Sequence, residues 1–325
     1  MELLPFEKTK REILVKKEAE TDSSKGCNPN ERIVDELIKY GVITLNKPSG
    51  PSSHQVTDYV KKILNIKKAG HGGTLDPKVT GVLPIALDKA TRIVQVLLSA
   101  GKEYICLMYL HKNISEVDIR KVFEKFTGKI RQLPPKKSAV KRQERDREIY
   151  YIEVMEIDGQ DVLFKIGCQA GTYIRKLVHD MGKELKVGAH MQQLVRTKAG
   201  PFSDKDMVSL HDLKDAYEFW KEGNETEIRK CIKPFEMAVE HLPKIWVFDG
   251  AVDPLCHGSD LYVPGVSKLD NKMNKDDTVA VFTLKNELIS VGKAEMTTEE
   301  MLKNQKGIAV NGNKVFMERG TYDNK

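Results

Sequence analysis

The chain has 325 residues, 40% hydrophobic and 31% charged, enough for two domains that each bury a core. No apolar run approaches the roughly 18 residues of a membrane span, and residues 1–30 lack the apolar stretch of a secretory signal. A cytoplasmic chain with no membrane association is therefore expected. Five widely spaced cysteines without a Cys-x-x-Cys pair, and eight histidines without His-Glu-x-x-His spacing, predict neither a disulfide scaffold nor a bound metal.

In chain order, residues 1–30 read as an irregular extension. Pro29 precedes a predicted helix over 31–40, with Ile33, Val34, Leu37 and Ile38 on one face and Gly41 ending it. A strand over 41–45 and the turn Asn46-Lys47-Pro48-Ser49-Gly50-Pro51 follow. Ser52-x-x-Gln55 is a capping-box signature for a helix that places Val56, Tyr59, Val60, Ile63 and Leu64 inward. A short helix is predicted over 90–98 and a strand over 103–111. Another helix opens at Ser115, with Ile119, Val122, Phe123 and Phe126 inward. Pro134-Pro135 breaks the chain. Strands over 149–157 and 162–168 turn on Asp158-Gly159-Gln160, and Gly171-Thr172-Tyr173 leads into a helix through Leu185.

A boundary falls near His241-Leu242-Pro243, beyond which short strands dominate. Hairpins are predicted around Lys285-Asn286-Glu287 and around Asn311-Gly312-Asn313, with a helix between them capped by Thr297 and Glu300. The division expected is an N-terminal extension at 1–30, a larger domain at 31–240 and a small β-rich domain at 241–325. Strands and helices alternate without regular βαβ repeats, so the fold class is α+β, with a mixed sheet in the larger domain.

Two features carry chemistry. Gly70-His71-Gly72-Gly73-Thr74-Leu75-Asp76-Pro77 through Gly81-Val82-Leu83-Pro84 sets one carboxylate in a loop of four glycines and two prolines. Glycine permits close backbone approach, and the proline after Asp76 stiffens its position. An Asp-Pro turn without further role remains an alternative on these residues alone. The second feature lies between Lys129 and Arg147, where eight bases face two acids, an excess equal to the net charge of +6 of the whole chain. Such a patch is the footprint expected for a polyanion such as RNA, against the alternative of a solvated basic loop. Lys136, Lys137, Lys141, Arg142, Arg145 and Arg147 are the candidate RNA-binding residues.

Three more segments bear on Asp76. Tyr104 stands at the head of a strand, Arg175 at the start of a helix where it can pair with a carboxylate, and Leu194 beside the basic Arg196. Taken singly they read as an interior tyrosine, a surface arginine and a core leucine; an acid, an arginine, a ring and an apolar floor together suit a base flipped out of its stack.

These residues lie within recognisable motifs. Asn46-Lys47-Pro48-Ser49-Gly50-Pro51-Ser52-Ser53, Gly73-Thr74-Leu75-Asp76-Pro77 through Pro84, Gly171-Thr172-Tyr173-Ile174-Arg175, and Gly188-Ala189-His190-Met191 with Arg196-Thr197 resemble the RNA pseudouridine synthases of the tRNA T-loop class. The likeness spans about residues 40–205 in order. Pro134 to Arg142 resembles the dyskerin-type branch that works with H/ACA guide RNA, in its archaeal form. Val247 to Gly265 is similar to the PUA domain of that branch, which the segment 241–325 would form. The segment between Lys136 and Tyr150 is shorter than the RNA-clamping insertion of the bacterial enzymes, as suits a substrate also held by a guide RNA.

The resemblance implies isomerisation of uridine to pseudouridine, in tRNA at the T-loop uridine, in rRNA as the catalytic subunit of a guided particle, or in both, with no cofactor. Asp76 would start C–N cleavage, Arg175 would orient it and keep it ionised, Tyr104 would stack on the uracil, and Leu194 would close the apolar side. Lys47 and Pro48 would buttress the loop from behind, with His71 beside them. The partners implied are the RNA substrate, an H/ACA guide RNA, and zinc-ribbon-like, β-barrel and kink-turn-binding proteins. Two other readings compete. A glycosidase would need a second flanking carboxylate, and an RNA-binding scaffold would need no catalytic acid.

Overall fold

The structure is a computed structural model that describes residues 2–134, 141 and 143–323. By internal contacts the chain divides into two units. One comprises residues 1–8, 43–87 and 94–231, the other 9–42, 88–93 and 232–325. This division differs from the three segments expected, because residues 9–42 cluster with the C-terminal portion.

The first unit is built on a mixed sheet. Its strands are β1 (Gly41–Lys47), β2 (Ala69–His71), β3 (Thr80–Leu87), β4 (Lys102–Leu110), β5 (Gly128–Gln132), β6 (Arg145–Asp158), β7 (Asp161–Cys168) and β8 (Ala189–Ala199). They lie in the order β1-β3-β8-β4-β7-β6-β5, with β2 paired to β3. The β3–β8 pair is parallel, and β8–β4, β4–β7, β7–β6 and β6–β5 are antiparallel. Successive strand side chains alternate between faces, so Cys106, Met108 and Leu110 of β4 join Val162, Phe164 and Ile166 of β7 in one core. Two helices close it, α2 (Glu116–Phe126) through Ile119, Val122 and Phe123, and α3 (Ile174–Glu184) through Ile174, Leu177, Val178 and Met181. Leu75, Val79, Tyr104 and Leu194 belong to the same core.

Local signals set α1 (Ser53–Leu64). Ser52 accepts from the amide of Gln55 while the Gln55 side chain accepts from the Ser52 amide, and Val56, Val60 and Leu64 are buried at helical spacing. Tyr59, expected on that face, is exposed instead. The strand predicted over 149–157 begins earlier, at Arg145, because β6 finds a partner in β5, a strand the periodicity did not reveal. The basic segment therefore supplies two arms of a hairpin. The helix predicted over 90–98 is a 3₁₀ stretch, Asp88–Ile93, followed by an α-helix, Val94–Ser99.

The second unit contains β9 (Lys244–Val247), β10 (Leu261–Tyr262), β11 (Val266–Asp270), β12 (Thr278–Thr283), β13 (Leu288–Ala294), α4 (Thr298–Lys303) and β14 (Ile308–Val315). Its sheet runs Ile13–Val15, β11, β9, β12, β13, β14, β10. The β12–β13 hairpin on Lys285-Asn286-Glu287 forms as expected. The second predicted hairpin does not. Asn311 and Gly312 lie within one continuous strand, β14, where residues 312 and 313 together oppose Gly292. Gly312 takes φ +61°, so the Asn-Gly pair makes a bulge, which calls on the same left-handed freedom as a tight turn.

The N-terminal residues are not irregular throughout. Ile13–Val15 pairs with Lys268–Asp270. The helix expected from residue 31 starts only at Val34, and Ile33 is 61% exposed. Arg32 is extended there, and its guanidinium donates two bonds to Glu236, at 2.8 and 2.7 Å. Among the described residues no helix is long and apolar enough to cross a membrane.

Candidate active site

Asp76 stands on the connection between β2 and β3, a loop held by four sets of contacts. The Val79 amide donates to the Asp76 carbonyl at 2.9 Å, closing a turn around Pro77. The Ser53 hydroxyl, at the start of α1, accepts from the Leu75 amide at 2.9 Å and donates to its carbonyl at 3.1 Å. Gly50 donates its amide to the Pro77 carbonyl at 3.0 Å. Lys47, wholly buried at the end of β1, donates to the carbonyls of Pro48, Pro77 and Val79, each at 2.9 Å. Burial pulls its ammonium below the usual lysine range, and the Asp76 carboxylate opposes that shift. Lys47 thus holds the loop through its backbone carbonyls.

Arg175 reaches Asp76 from the first turn of α3, with Nη1 3.2 Å from Oδ2. A cation in a helix's first turn opposes the macrodipole by about 0.3–1 kcal/mol, so nothing in the helix itself favours an arginine there. The carboxylate does. Both side chains remain half exposed, at 57% and 50%, which leaves the pair open to a ligand. Beside it, Leu133, Pro134, Arg175, His179 and Met191 line a groove of about 440 Å³.

Tyr104 and Leu194 lie below the loop, 9% and 8% exposed, in one core with its Leu75 and Val79. They come from the neighbouring strands β4 and β8, where Tyr104 faces Arg196 and Cys106 faces Leu194. Burial pushes the Tyr104 hydroxyl above its ordinary range, nearby Arg196 opposes this, and Asp76 is close enough to add to it. The four candidate catalytic residues are thereby brought together.

His71, on β2, is set apart from them. Its ring packs edge-on against His54 at 4.9 Å, and both nitrogens are buried without a hydrogen-bond partner among the described residues. Burial, with smaller contributions from His54 and Arg196, lowers its pKa to about 4, so it is neutral at pH 7. Of the candidate RNA-binding residues, Lys136, Lys137 and Arg142 lie outside the described residues. Lys141 is exposed, and Arg145 and Arg147 are half-buried on β6.

Arg196 carries more of the site than its sequence position indicated. It is 1% exposed, and its Nε donates to the Val82 carbonyl at 2.7 Å and its Nη2 to the Gly73 carbonyl at 3.1 Å. Tyr104 lies close enough to bear on its charge. Burial draws its pKa down, and no carboxylate pairs with it among the described residues. An unpaired buried cation is expensive, and this one ties the glycine side of the Asp76 loop to β3. Gly81 makes the approach possible. It pairs in register with Arg196 at φ +98°, and a Cβ there would lie 2.2 Å from the Arg196 carbonyl oxygen. The motif Arg196-Thr197 was the available signal, but its role needs the parallel β3–β8 pairing.

Comparisons with known proteins agree along the whole chain. Residues 61–174 match the TruB family pseudouridylate synthase (N terminal domain) and residues 175–240 the tRNA pseudouridylate synthase B C-terminal domain. Residues 243–316 match the PUA domain and residues 2–57 the DKCLD (NUC011) domain. A probable tRNA pseudouridine synthase B of Methanocaldococcus jannaschii is 56% identical over 314 residues, 96% of this chain and 94% of that one. Its counterpart from Pyrococcus furiosus is 57% identical over 316 residues, 96% and 93%. A crystal structure of a Cbf5–Nop10–Gar1 complex matches 98% of both chains at 56% identity, TM-score 0.93. A structure of an H/ACA RNP bound to a substrate RNA containing 2′-deoxyuridine matches 99% of both at 54% identity, TM-score 0.91.

An α+β mixed-sheet unit of this kind, followed by a PUA domain, defines an RNA-modifying isomerase. The chain belongs to the TruB family of pseudouridylate synthases. Within it, the DKCLD and PUA segments and the 54–57% identities set it in the archaeal, dyskerin-type branch.

Proposed function

We propose that this chain isomerises uridine to pseudouridine in RNA through Asp76, in the tRNA T-loop, in guide-selected rRNA, or in both. The observation that supports this most directly is the half-exposed Asp76–Arg175 pair at 3.2 Å above a floor containing Tyr104 and Leu194. The reaction breaks the N1–C1′ bond, turns the base and forms a C5–C1′ bond. The C5 proton leaves and N1 gains one, so no oxidant, reductant or net water is needed. Asp76 acts as nucleophile or base at the start, and a covalent route divides one hard step into two easier ones. Arg175 holds the carboxylate in place. Tyr104 stacks on the flipped base, a contact worth about 1–3 kcal/mol, and its burial keeps the hydroxyl protonated near neutrality. Leu194 excludes water from the apolar side. Lys47, Pro48, Ser53 and Arg196 position the loop. His71, neutral and buried against His54, packs behind it.

We assign catalysis to residues 31–240, RNA binding to the PUA segment 241–325, and a supporting role to residues 1–30. The solved relatives are complexes named for Nop10, Gar1 and a substrate RNA. By that likeness we propose that this chain works with an H/ACA guide RNA and with zinc-ribbon-like, β-barrel and kink-turn-binding proteins, in the cytoplasm. The candidate bases at Lys136, Lys137, Lys141, Arg142, Arg145 and Arg147 would meet RNA phosphates.

The test is pseudouridine formation on an unmodified tRNA transcript and on an rRNA target, by the full-length protein with and without guide RNA and partner proteins. Asp76→Asn serves as control. Product from the protein alone, lost in the variant, makes it a tRNA enzyme, and product only in the assembled particle makes it a guided one. Released free uracil would replace the reading with a glycosidase. RNA binding without product in every arm would leave a scaffold.

A further inference from the structure

The β5–β6 hairpin brings together two arginines whose environment differs from that of the other bases nearby. Arg145 and Arg147 are two apart on β6, so both project from one face. Their Nε atoms are buried and have no hydrogen-bond partner among the described residues. Arg147 donates Nη1 to the Asp146 carbonyl at 2.7 Å, and no carboxylate pairs with either guanidinium among the described residues. Arg131, across the same hairpin, has two acids instead, Glu144 at 3.1 Å and Asp146 at 3.8 Å. A buried guanidinium N–H left unpaired costs about 1–3 kcal/mol or more. Two in one place indicate a missing acceptor.

The surroundings give its size and chemistry. The two arginines, Gln132, Pro134, Gly171 and Tyr173 enclose a pocket of about 70 Å³. Gln132 accepts from the Tyr173 amide at 3.0 Å and donates to its carbonyl at 3.3 Å, so the two arginines are the charged donors of the lining. Gly171 leaves room for Arg147. A Cβ at residue 171 would lie 3.0 Å from Nη2 and 3.2 Å from Nε. Two forked cations around so small a space match the bidentate recognition of a phosphate. Pro134 lines both this pocket and the groove beside Arg175, and Tyr173 and Arg175 are two residues apart.

We propose that Arg145 and Arg147 form a dedicated site for one RNA backbone phosphate, next to the nucleotide whose base meets Asp76. Gly171, whose backbone at φ +79° itself favours glycine, leaves room for the Arg147 guanidinium. The proposal rests on the reading of the chain as an RNA-modifying enzyme and goes further by separating these two arginines from the solvated bases around them.

The experiment replaces one phosphate at a time by a neutral methylphosphonate, around the target uridine of whichever RNA is converted by the protein alone or in its assembled particle. Affinity is measured for wild type, Arg147→Lys, Gly171→Ala and the double variant R145A/R147A. Wild type is expected to lose about tenfold at one linkage, and the double variant to lose nothing more at that linkage. Its salt dependence on unmodified tRNA is expected to be shallower by about 0.7 in slope per lost phosphate contact. Arg147→Lys keeps that slope while losing affinity, and Gly171→Ala loses affinity with every charge in place. Additive effects at every linkage, or an unchanged slope in the double variant, would overturn the site. These results are independent of product formation. If no RNA is converted, the reading of function fails, and the slope on tRNA still decides the site.

Discussion

Replacing Lys47 with methionine tests how the Asp76 loop is held. The change keeps the length of the side chain and removes the ammonium that donates to the Pro48, Pro77 and Val79 carbonyls. Pro77 keeps one donor, the Gly50 amide, and the carbonyl of exposed Pro48 can turn to water, so the buried Val79 carbonyl is the one orphaned. At about 1–3 kcal/mol for a buried orphan the gross cost is about 1–3 kcal/mol. Part is returned, because a buried ammonium also pays for its own desolvation, as the lowered Lys47 pKa records. A net loss of about 1–2 kcal/mol is expected, read as a lower urea midpoint by circular dichroism. Lys47 is wholly buried and makes no contact with RNA in this mechanism, so kcat should fall at least about tenfold, with KM little changed. Proton release from C5 of the target uridine follows the reaction directly. A variant with the wild-type urea midpoint, or one destabilised with full kcat, would refute the view that this lysine positions the catalytic loop.

Three further outcomes follow from the same geometry. His71 titrates near 4 when folded and about 6.5 when unfolded. The unfolded chain therefore binds more protons between these values, and stability contributed by the neutral ring, about 3 kcal/mol, is lost as pH falls through that window. His71→Phe should flatten the dependence between pH 4 and 6.5, and an unchanged profile would remove His71 as its source. Gly81→Ala places a methyl against the Arg196 carbonyl at positive φ and should cost about 2–4 kcal/mol by thermal unfolding while lowering kcat. In the second unit, Arg32→Met strands a buried Glu236 and should cost about 3–5 kcal/mol. Adding Glu236→Leu should restore much of that, and a double variant no better than the single would show that the pair is not the source.

Much of the architecture was legible because its causes are local. Ser52 with Gln55 and Thr297 with Glu300 form capping boxes within four residues of chain, and the helices begin where those residues stand. The alternation of β4 and β7 states which face is buried before any partner is known. Among candidate site residues, Asp76, Tyr104, Arg175 and Leu194 could be named from motifs, since each motif keeps its chemistry in a short segment. Local signals failed where a distant partner chose between outcomes. Asn311-Gly312 supplies left-handed backbone, which a hairpin and a bulge use equally, and pairing of β14 along β13 selected the bulge. Ile33 follows helical spacing, but the Arg32–Glu236 pair holds the preceding residue extended.

The sequence by itself determined the capped helices opening at Ser52, Ser115 and Thr297, several of the strands, the acid in its glycine loop and the family to which the motifs belong, because each is written in neighbouring residues. Only the tertiary structure decided that Arg196 lies buried beneath that loop, that Gly81 exists to admit it, and that Arg145 and Arg147 converge on one pocket. Those facts depend on strands more than a hundred residues apart meeting in register, or on a hairpin packing against the turn that precedes a helix. Burial and pairing of that kind are properties of the assembled core, and no short window of chain contains them.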